Sequence, residues 1–201
     1  MKIQVLGITG PTGAGKSLLC RELTSRGIPV IDADEVYHSL LIPPSPCLTS
    51  LRHAFGNGIF GENGTLNRQA LSEIVFHDEE KLRLLNATVL HFVLERIREM
   101  IRQLSSEGKR TVAVDGPTLI ESGFHRECDR VVAVLAPLPL RKERIMQRDA
   151  LSEEQASARI AAQKPDDFYR THSHCVLTND GDSEAFLHRV SDLLQQLDIH
   201  P

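Results

Sequence analysis

Aromatic residues are scarce in this 201-residue chain: they make up 4% of it, and tryptophan is absent. Proteins that bind single-stranded nucleic acid stack bases on aromatic side chains, so the scarcity argues against that class. Lysine and arginine number 23 against 27 acidic residues, which gives a net charge of -4. A mildly acidic chain lacks the basic surface that general nucleic-acid binding requires. We therefore expect no nucleic-acid partner.

Paired cysteines and long apolar runs are also missing. The four cysteines (Cys20, Cys47, Cys128 and Cys175) stand singly, which argues against a zinc ribbon and a C-x-x-C redox site. No stretch approaches the ~20 apolar residues of a membrane span. The apolar residues near the N-terminus lead straight into glycines, which indicates a strand and not a signal peptide. We expect a cytoplasmic protein with no membrane partner.

The rest of the composition is that of a globular domain, with 41% hydrophobic and 25% charged residues. Short apolar runs, each predicted to be a buried strand, alternate with helical patterns. This alternation favours an α/β fold in which helices cover both faces of a parallel sheet. The predicted strands are residues 3–9, 28–31, 111–114, 130–135 and 175–177.

Two long segments interrupt the alternation of strands and helices. The segment between the second and third strands is too long for one crossover. Its apolar residues from Leu82 to Leu104 recur at helical spacing and predict a long helix that Asp78 caps. In the other segment, Ser152 and Gln155 fit a capping box between two helices. We predict a core (1–34, 109–136 and 175–201), a helical lobe (35–108) and a lid region (137–174).

The residues after the first predicted strand match the phosphate-binding pattern G-x-x-x-x-G-K-[ST] throughout. They are Gly10, Pro11, Thr12, Gly13, Ala14, Gly15, Lys16 and Ser17. In a P-loop, glycines let N–H groups turn toward phosphate oxygens, the helix N-terminus adds its dipole, the lysine adds a charge, and the serine hydroxyl binds Mg²⁺. The alternative is a glycine-rich turn that matches by chance, but the strand before it and the helix after it favour the P-loop.

The glycine spacing and the rest of the sequence indicate which class of P-loop protein this is. The glycine spacing does not fit the dinucleotide pattern G-x-G-x-x-G. An N-K-x-D base-reading motif is absent after the later strands, which disfavours a GTPase. A small P-loop protein with two helical insertions instead suggests a kinase of small metabolites that closes over both substrates.

Three aspartates follow predicted strands, where ligands bind in open α/β sheets. Asp32 and Asp34 come after the second strand, and if this segment is extended, both side chains point the same way. We assign helix capping to one of them and prefer Asp34 as the base that orients and deprotonates an attacking hydroxyl. Asp115 ends the third strand as in a Walker B motif and is a candidate Mg²⁺ ligand, although an aspartate there can also simply start a turn.

Arginines in the lid region recur at helical spacing. Arg141, Arg144 and Arg148 are three and four residues apart, which places them on one face of a helix. Guanidinium groups on that face can bind phosphate oxygens and neutralise charge in the transition state. The alternative is a solvated basic face, but beside a P-loop we favour at least one catalytic arginine.

These residues resemble the dephospho-CoA kinase family along nearly the whole chain. The resemblance covers the P-loop, the Asp32-Ala33-Asp34 motif, Gln147-Arg148-Asp149 in the lid region, and Asn179-Asp180-Gly181. It implies a three-layer P-loop fold with a five-stranded parallel sheet, a helical lobe that binds coenzyme A, and a lid. The implied reaction is phosphorylation of the ribose 3′-hydroxyl of dephospho-CoA by Mg-ATP, giving coenzyme A and ADP.

The resemblance also assigns roles to individual residues. Asp34 matches the base, Lys16 the phosphate lysine, Arg144 and Arg148 the lid, and Asn179 an adenine-side contact. The implied substrate-binding residues besides Asp34 are Arg68, His91, Pro117 and Glu121. One departure is Phe92, which stands after His91 where the family usually has proline, so a helix break is lost.

Two alternatives to this function remain at the level of sequence. A P-loop kinase of another small alcohol or nucleotide would share the phosphate-binding residues. A nucleotide-binding regulator without activity would keep the P-loop alone. The presence of Asp34, Asp115 and the lid arginines argues against the regulator.

Overall fold

A single sheet contains all five strands. The computed structural model describes residues 2–61, 63–76 and 78–200. The strands are β1 (Gln4–Thr9), β2 (Val30–Asp32), β3 (Thr111–Asp115), β4 (Arg130–Leu135) and β5 (Cys175–Thr178). Their order is β2-β3-β1-β4-β5, and β1 pairs in parallel with β3 and β4, as does β4 with β5. The predicted parallel five-stranded α/β fold is confirmed.

Helices connect the strands and supply the two insertions. The described α-helices are α1 (Lys16–Ser25), α2 (Ala33–Leu40), α3 (Pro46–Phe55), α4 (Arg68–Phe76), α5 (Glu79–Ser106), α6 (Leu138–Asp149), α7 (Glu153–Ala161), α8 (Asp166–His172) and α9 (Ser183–Gln196). Short 3-10 segments lie at Asn57–Ile59 and Phe124–Glu127. The capping box predicted before α7 is confirmed, because Ser152 and Gln155 exchange both hydrogen bonds.

The chain divides into two compact units. The first comprises Met1–Ile31 and Gln103–Pro201, and the second comprises Asp32–Arg102. The first unit therefore contains the P-loop sequence together with the region predicted to be a lid, and the second contains α2 to α4 with most of α5. The separate lid region stays a prediction.

The core of the first unit lies on both faces of the sheet. Leu6 and Ile8 of β1 pack in a buried cluster with Leu19 of α1 and Phe186 of α9. Alternate residues of β4 point to the opposite face, where Leu135 packs with Ile120 and Tyr169 of α8. Helices therefore cover the sheet on both sides, as the apolar character of the strands predicted.

Strand β2 starts two residues later than predicted, because the residues just before it form the C-terminal cap of α1. The N–H of Gly27 donates to Thr24 O at 2.9 Å, and the N–H of Ile28 donates to Leu23 O at 3.0 Å. This is the Schellman arrangement that ends a helix, and the apolar residue after the glycine is part of it. Ile28 thus belongs to the helix terminus, although it is apolar like a strand residue.

Helix α5 runs for 28 residues without interruption. Asp78 caps it as predicted, since its Oδ1 accepts hydrogen bonds from the N–H groups of Glu80 and Lys81, both at 3.0 Å. The middle of the predicted apolar stripe is buried, whereas Leu82 at its start is 43% exposed. Among the described residues, no helix is both long and apolar enough to cross a membrane.

Candidate active site

The predicted P-loop connects β1 to α1. Lys16 is the first residue of α1 and Gly15 is its N-cap, so the loop ends at the positive end of the helix dipole. The N–H groups of Gly13, Gly15, Lys16 and Ser17 donate to no acceptor among the described residues. Unpaired N–H groups at a helix N-terminus are typical of an anion-binding concavity, so this geometry fits the predicted phosphate-binding role, which stays a prediction.

Gly13 and Gly15 of the loop, like Gly10, lie too close to their neighbours for any side chain. Gly13 has φ +76°, and a Cβ there would lie 2.7 Å from the carbonyl oxygen of Arg141. Gly15 has φ +105°, and a Cβ there would lie 2.1 Å from Nδ2 of Asn179. The sequence therefore requires glycine at both positions, for the backbone conformation and for the close packing of α6 and Asn179.

Replacing Gly15 with alanine is expected to destabilise the protein by at least about 2 kcal/mol, because alanine disfavours this φ and its methyl group would overlap Asn179. The melting temperature should fall by roughly 4–8 °C. Gly58→Ala is the matched control, since a Cβ at Gly58 meets no atom within 4 Å. An unchanged melting temperature for Gly15→Ala, measured by calorimetry, would contradict the packing described.

Lys16 and Ser17 begin α1 with side chains of different exposure. Lys16 is half-buried, and its Nζ donates to Gly10 O at 2.9 Å, which holds the ammonium group against the loop. Ser17 is exposed, and its hydroxyl forms no hydrogen bond with a described residue. The ammonium group and the hydroxyl are thus on the loop itself, where a bound phosphate would meet them.

Asp115 ends β3 beside helix α1. Its Oδ2 accepts a hydrogen bond from the Cys20 thiol at 3.4 Å. Cys20 follows Ser17 by three residues, so the Asp115 carboxylate and the Ser17 hydroxyl lie about one helical turn apart along α1. Mg²⁺ takes oxygen ligands and is commonly held by one or two protein groups together with substrate phosphates, so these residues fit a Mg²⁺ site.

The two aspartates after β2 have separate roles. Asp32 is the N-cap of α2, because its Oδ1 accepts hydrogen bonds from the N–H groups of Asp34 at 2.8 Å and Glu35 at 3.2 Å. The prediction of an extended Asp32-Ala33-Asp34 segment is wrong, since this cap starts the helix at Ala33. Asp34 is exposed in the first turn of α2, and its carboxylate accepts no hydrogen bond from a described residue.

Residues assigned to substrate binding lie in both units. In the second unit, Arg68 is the first residue of α4. Burial raises the pKa of Tyr37, and the positive charge of Arg68 opposes this rise. Tyr37 lies one helical turn after Asp34 on α2. His91 is exposed on α5 and contacts the ring of Phe92 with centroids 5.4 Å apart, and α5 continues through both residues.

Pro117 and Glu121 of the first unit follow β3. Pro117 is half-buried and Glu121 is exposed. Burial raises the pKa of Tyr169, and the charge of Glu121 raises it further. Glu121 is thus close to α8, and its role toward a substrate stays a prediction.

The three arginines of α6 differ in burial and in partners. Arg144 is half-buried, and its Nη2 donates to Asn179 Oδ1 and its Nη1 to Gly13 O, both at 3.3 Å. Arg148 is exposed, and its Nη2 donates to Thr12 Oγ1 at 3.4 Å. Arg141 is 4% exposed. All three guanidinium groups therefore contact the P-loop sequence, Arg141 at the carbonyl oxygen of Thr12, but Arg141 is enclosed whereas Arg148 is exposed.

Asp149 holds the Arg148 guanidinium in place. It accepts from Arg148 Nε and Nη2, both at 2.8 Å, and also pairs with Arg159. The hydrogen bonds that Arg148 donates to Asp149 raise the pKa of Arg148 and lower the pKa of Asp149. This bidentate pair fixes the plane of the guanidinium group beside Thr12.

Asn179 is buried and bonded to the P-loop. Its Nδ2 donates to Ala14 O at 2.9 Å, its Oδ1 accepts from Arg144, and its own N–H donates to Leu135 O at 2.7 Å. The adenine-side contact that the resemblance implies stays a prediction. The observed contact of Asn179 is with the loop backbone, which its position after β5 had not indicated.

The strand, loop and helix at the carboxyl end of β1, within a five-stranded parallel sheet, define a P-loop nucleotide-binding protein of the α/β kinase class. Residues 4–185 match the family model described as Dephospho-CoA kinase. The chain belongs to the dephospho-CoA kinase family. It is an ATP-using kinase of coenzyme A biosynthesis.

Individual relatives are similar to this chain along nearly its whole length. A dephospho-CoA kinase of Halalkalibacterium halodurans is 31% identical over 197 residues, which are 98% of each chain. The crystal structure of a Thermus thermophilus protein is 32% identical, with a TM-score of 0.83 over 100% of both chains. The structure of a dephospho-CoA kinase from Campylobacter jejuni is 26% identical, with a TM-score of 0.71 over 96% of each chain.

Proposed function

We propose that this protein transfers the γ-phosphoryl group of Mg-ATP to the ribose 3′-hydroxyl of dephospho-CoA, forming coenzyme A and ADP in the cytoplasm. The observation that carries the proposal is the set of unpaired N–H groups of Gly13, Gly15, Lys16 and Ser17, flanked by the Lys16 ammonium group and the Arg144 guanidinium group. Positive charge and N–H donors converge on this loop, which is what a transferring phosphoryl group requires.

Each reaction role falls to a named residue. The loop and Lys16 hold the phosphates, and Asn179 supports nucleotide binding through Ala14. Ser17 and Asp115 would hold Mg²⁺, which when bound neutralises charge on the phosphate oxygens. Arg144 and Arg148 stabilise the charge that spreads over the transferring group.

The acceptor hydroxyl needs a base, and Asp34 is our candidate. Asp32 performs the capping of α2, so the Asp34 carboxylate is available to accept a proton or orient the hydroxyl. Arg68, His91, Pro117 and Glu121 would contact other parts of dephospho-CoA.

The test of this function is turnover with a panel of acceptors in the presence of Mg-ATP. Dephospho-CoA should be phosphorylated, whereas its analogue without the 3′-hydroxyl should give no ADP above background. Adenosine, which has the ribose without the pantetheine arm, should be a poor acceptor. Efficient phosphorylation of a different alcohol, with no ADP formed from dephospho-CoA, would assign the protein to another small-molecule kinase.

Arg148→Ala is expected to lower kcat by about tenfold or more, because an arginine that stabilises transition-state charge acts mainly on the chemical step. The Kd for ATP should change much less than kcat. Lys142→Ala is the control on the same helix, since Lys142 pairs with Glu153 at the surface. If the steady-state assay shows kcat unchanged in Arg148→Ala, this arginine has no role in the transition state.

A further inference from the structure

Thr12 is the one residue of the P-loop sequence whose backbone N–H and carbonyl are both bound by side chains from residues 137–174, within the part of the chain that the structure describes. Its N–H donates to Gln163 Oε1 at 3.0 Å. Its carbonyl oxygen accepts from Arg141 Nε at 3.1 Å. Thr12 immediately precedes Gly13, so these two bonds fix the backbone at the entry to the unpaired N–H groups.

Arg141 is also hydrogen-bonded to Gln163 and Asp166. Besides Nε, its Nη2 donates to Gln163 Oε1 and its Nη1 to Asp166 Oδ1, both at 3.1 Å. The side chain is 4% exposed, and burial lowers its pKa while the charge of Asp166 opposes that shift. This buried guanidinium group directs three of its five N–H donors to partners within the first unit, which makes it a support for the loop rather than a free fork for phosphate.

The backbone of the P-loop needs fixed contacts on both sides of Gly13. Gly13 and Gly15 give the backbone more freedom than other residues would. Asn179 holds Ala14 on one side of Gly13, and Gln163 with Arg141 hold Thr12 on the other. Donors that are already oriented lose no energy to reorganisation when phosphate binds or charge develops.

We propose that Gln163 and Arg141 are positioning residues for phosphoryl transfer, which act through the Thr12 backbone and keep the P-loop N–H groups directed at the phosphates. The inference rests on the proposed binding of ATP by this loop. It extends the set of functional residues to Gln163, which lies in the turn between α7 and α8 and outside the phosphate-binding pattern.

Gln163→Met is the decisive variant, because methionine keeps the length of the side chain and removes the acceptor without leaving a buried charge. The KM for ATP should rise by about three- to tenfold, as expected for one lost hydrogen bond, with the KM for dephospho-CoA unchanged. Gln163→Glu should restore the KM for ATP, since a carboxylate oxygen accepts from both the Thr12 N–H and Arg141. Gln103→Met is the matched control, because the Gln103 side chain donates to Glu107 on an exposed surface of α5.

The double variant Arg141→Met with Asp166→Asn tests the second support. Removing both charges avoids the large penalty of a single unpaired buried charge. We expect the same selective rise in the KM for ATP, with binding of inorganic triphosphate, measured by calorimetry, weakened in parallel.

The possible outcomes distinguish a failure of the positioning role from a failure of the proposed function. Wild-type protein that does not phosphorylate dephospho-CoA refutes the proposed function. Active wild-type protein with an unchanged KM for ATP in Gln163→Met refutes the positioning role alone. Equal rises in the KM for ATP and for dephospho-CoA, which Gln163→Glu does not reverse, would also overturn it, because they indicate a general structural defect.

Discussion

Replacing Asp34 with asparagine is expected to lower kcat by about 10²–10⁴-fold, the usual contribution of a general base. Asparagine has nearly the same shape as aspartate but cannot take a proton. The exposed position of Asp34 in the first turn of α2 means that the variant should fold normally. The Kd for ATP should remain close to that of the wild type, since we assign the phosphates to the P-loop.

The neighbouring aspartate supplies a matched control for this prediction. Asp32→Asn makes the same chemical change two residues earlier, and asparagine caps helices about as well as aspartate does. Turnover of Asp32→Asn should therefore be close to that of the wild type. Equal turnover of Asp34→Asn and the wild type, measured with saturating dephospho-CoA and ATP, would remove Asp34 as the base.

Replacing Lys16 with methionine is expected to lower kcat by about 10²–10³-fold. Other enzymes lose about this much when one preorganised group that stabilises transition-state charge is removed. Methionine has an unbranched side chain like that of lysine but carries no charge. It also favours helix, so α1 should still begin at the same residue. The Lys16 ammonium group lies against Gly10 O, on the phosphate-binding loop. The Kd for ATP should also rise, because the same charge binds the ground-state phosphates.

Lys109→Met, which removes an exposed lysine from the turn between α5 and β3, is the control for the loss of one positive charge. Its kinetic constants should match those of the wild type. A Lys16→Met protein with wild-type kcat and unchanged melting temperature would show that the loop does not contact the transferring phosphate.

The fold was largely predictable because its signals are local. The apolar runs located the five described strands, and the helix expected directly after the P-loop sequence is α1. Asp78 as the cap of α5 and the capping box before α7 depend on side chains within three residues of the bonds they make. Patterns of this kind are complete within a short window of sequence.

The errors and omissions have equally physical causes. The start of α2 was misplaced because an aspartate that closes a strand can also cap a helix, and the cap here begins at Asp32 itself. The supports of the P-loop could not be found from spacing, since Gln163 is 151 residues from Thr12, and Asn179 is 165 residues from Ala14. Burial separates Arg141 from Arg144 and Arg148, although their spacing makes all three look equivalent.

The most direct test of the account is to follow a radioactive γ-phosphate from ATP. With wild-type protein and Mg²⁺, the label should move to dephospho-CoA and be found on the ribose 3′-oxygen of the coenzyme A formed. Label that is released as inorganic phosphate, or that remains in ATP while dephospho-CoA is recovered unchanged, would contradict the account.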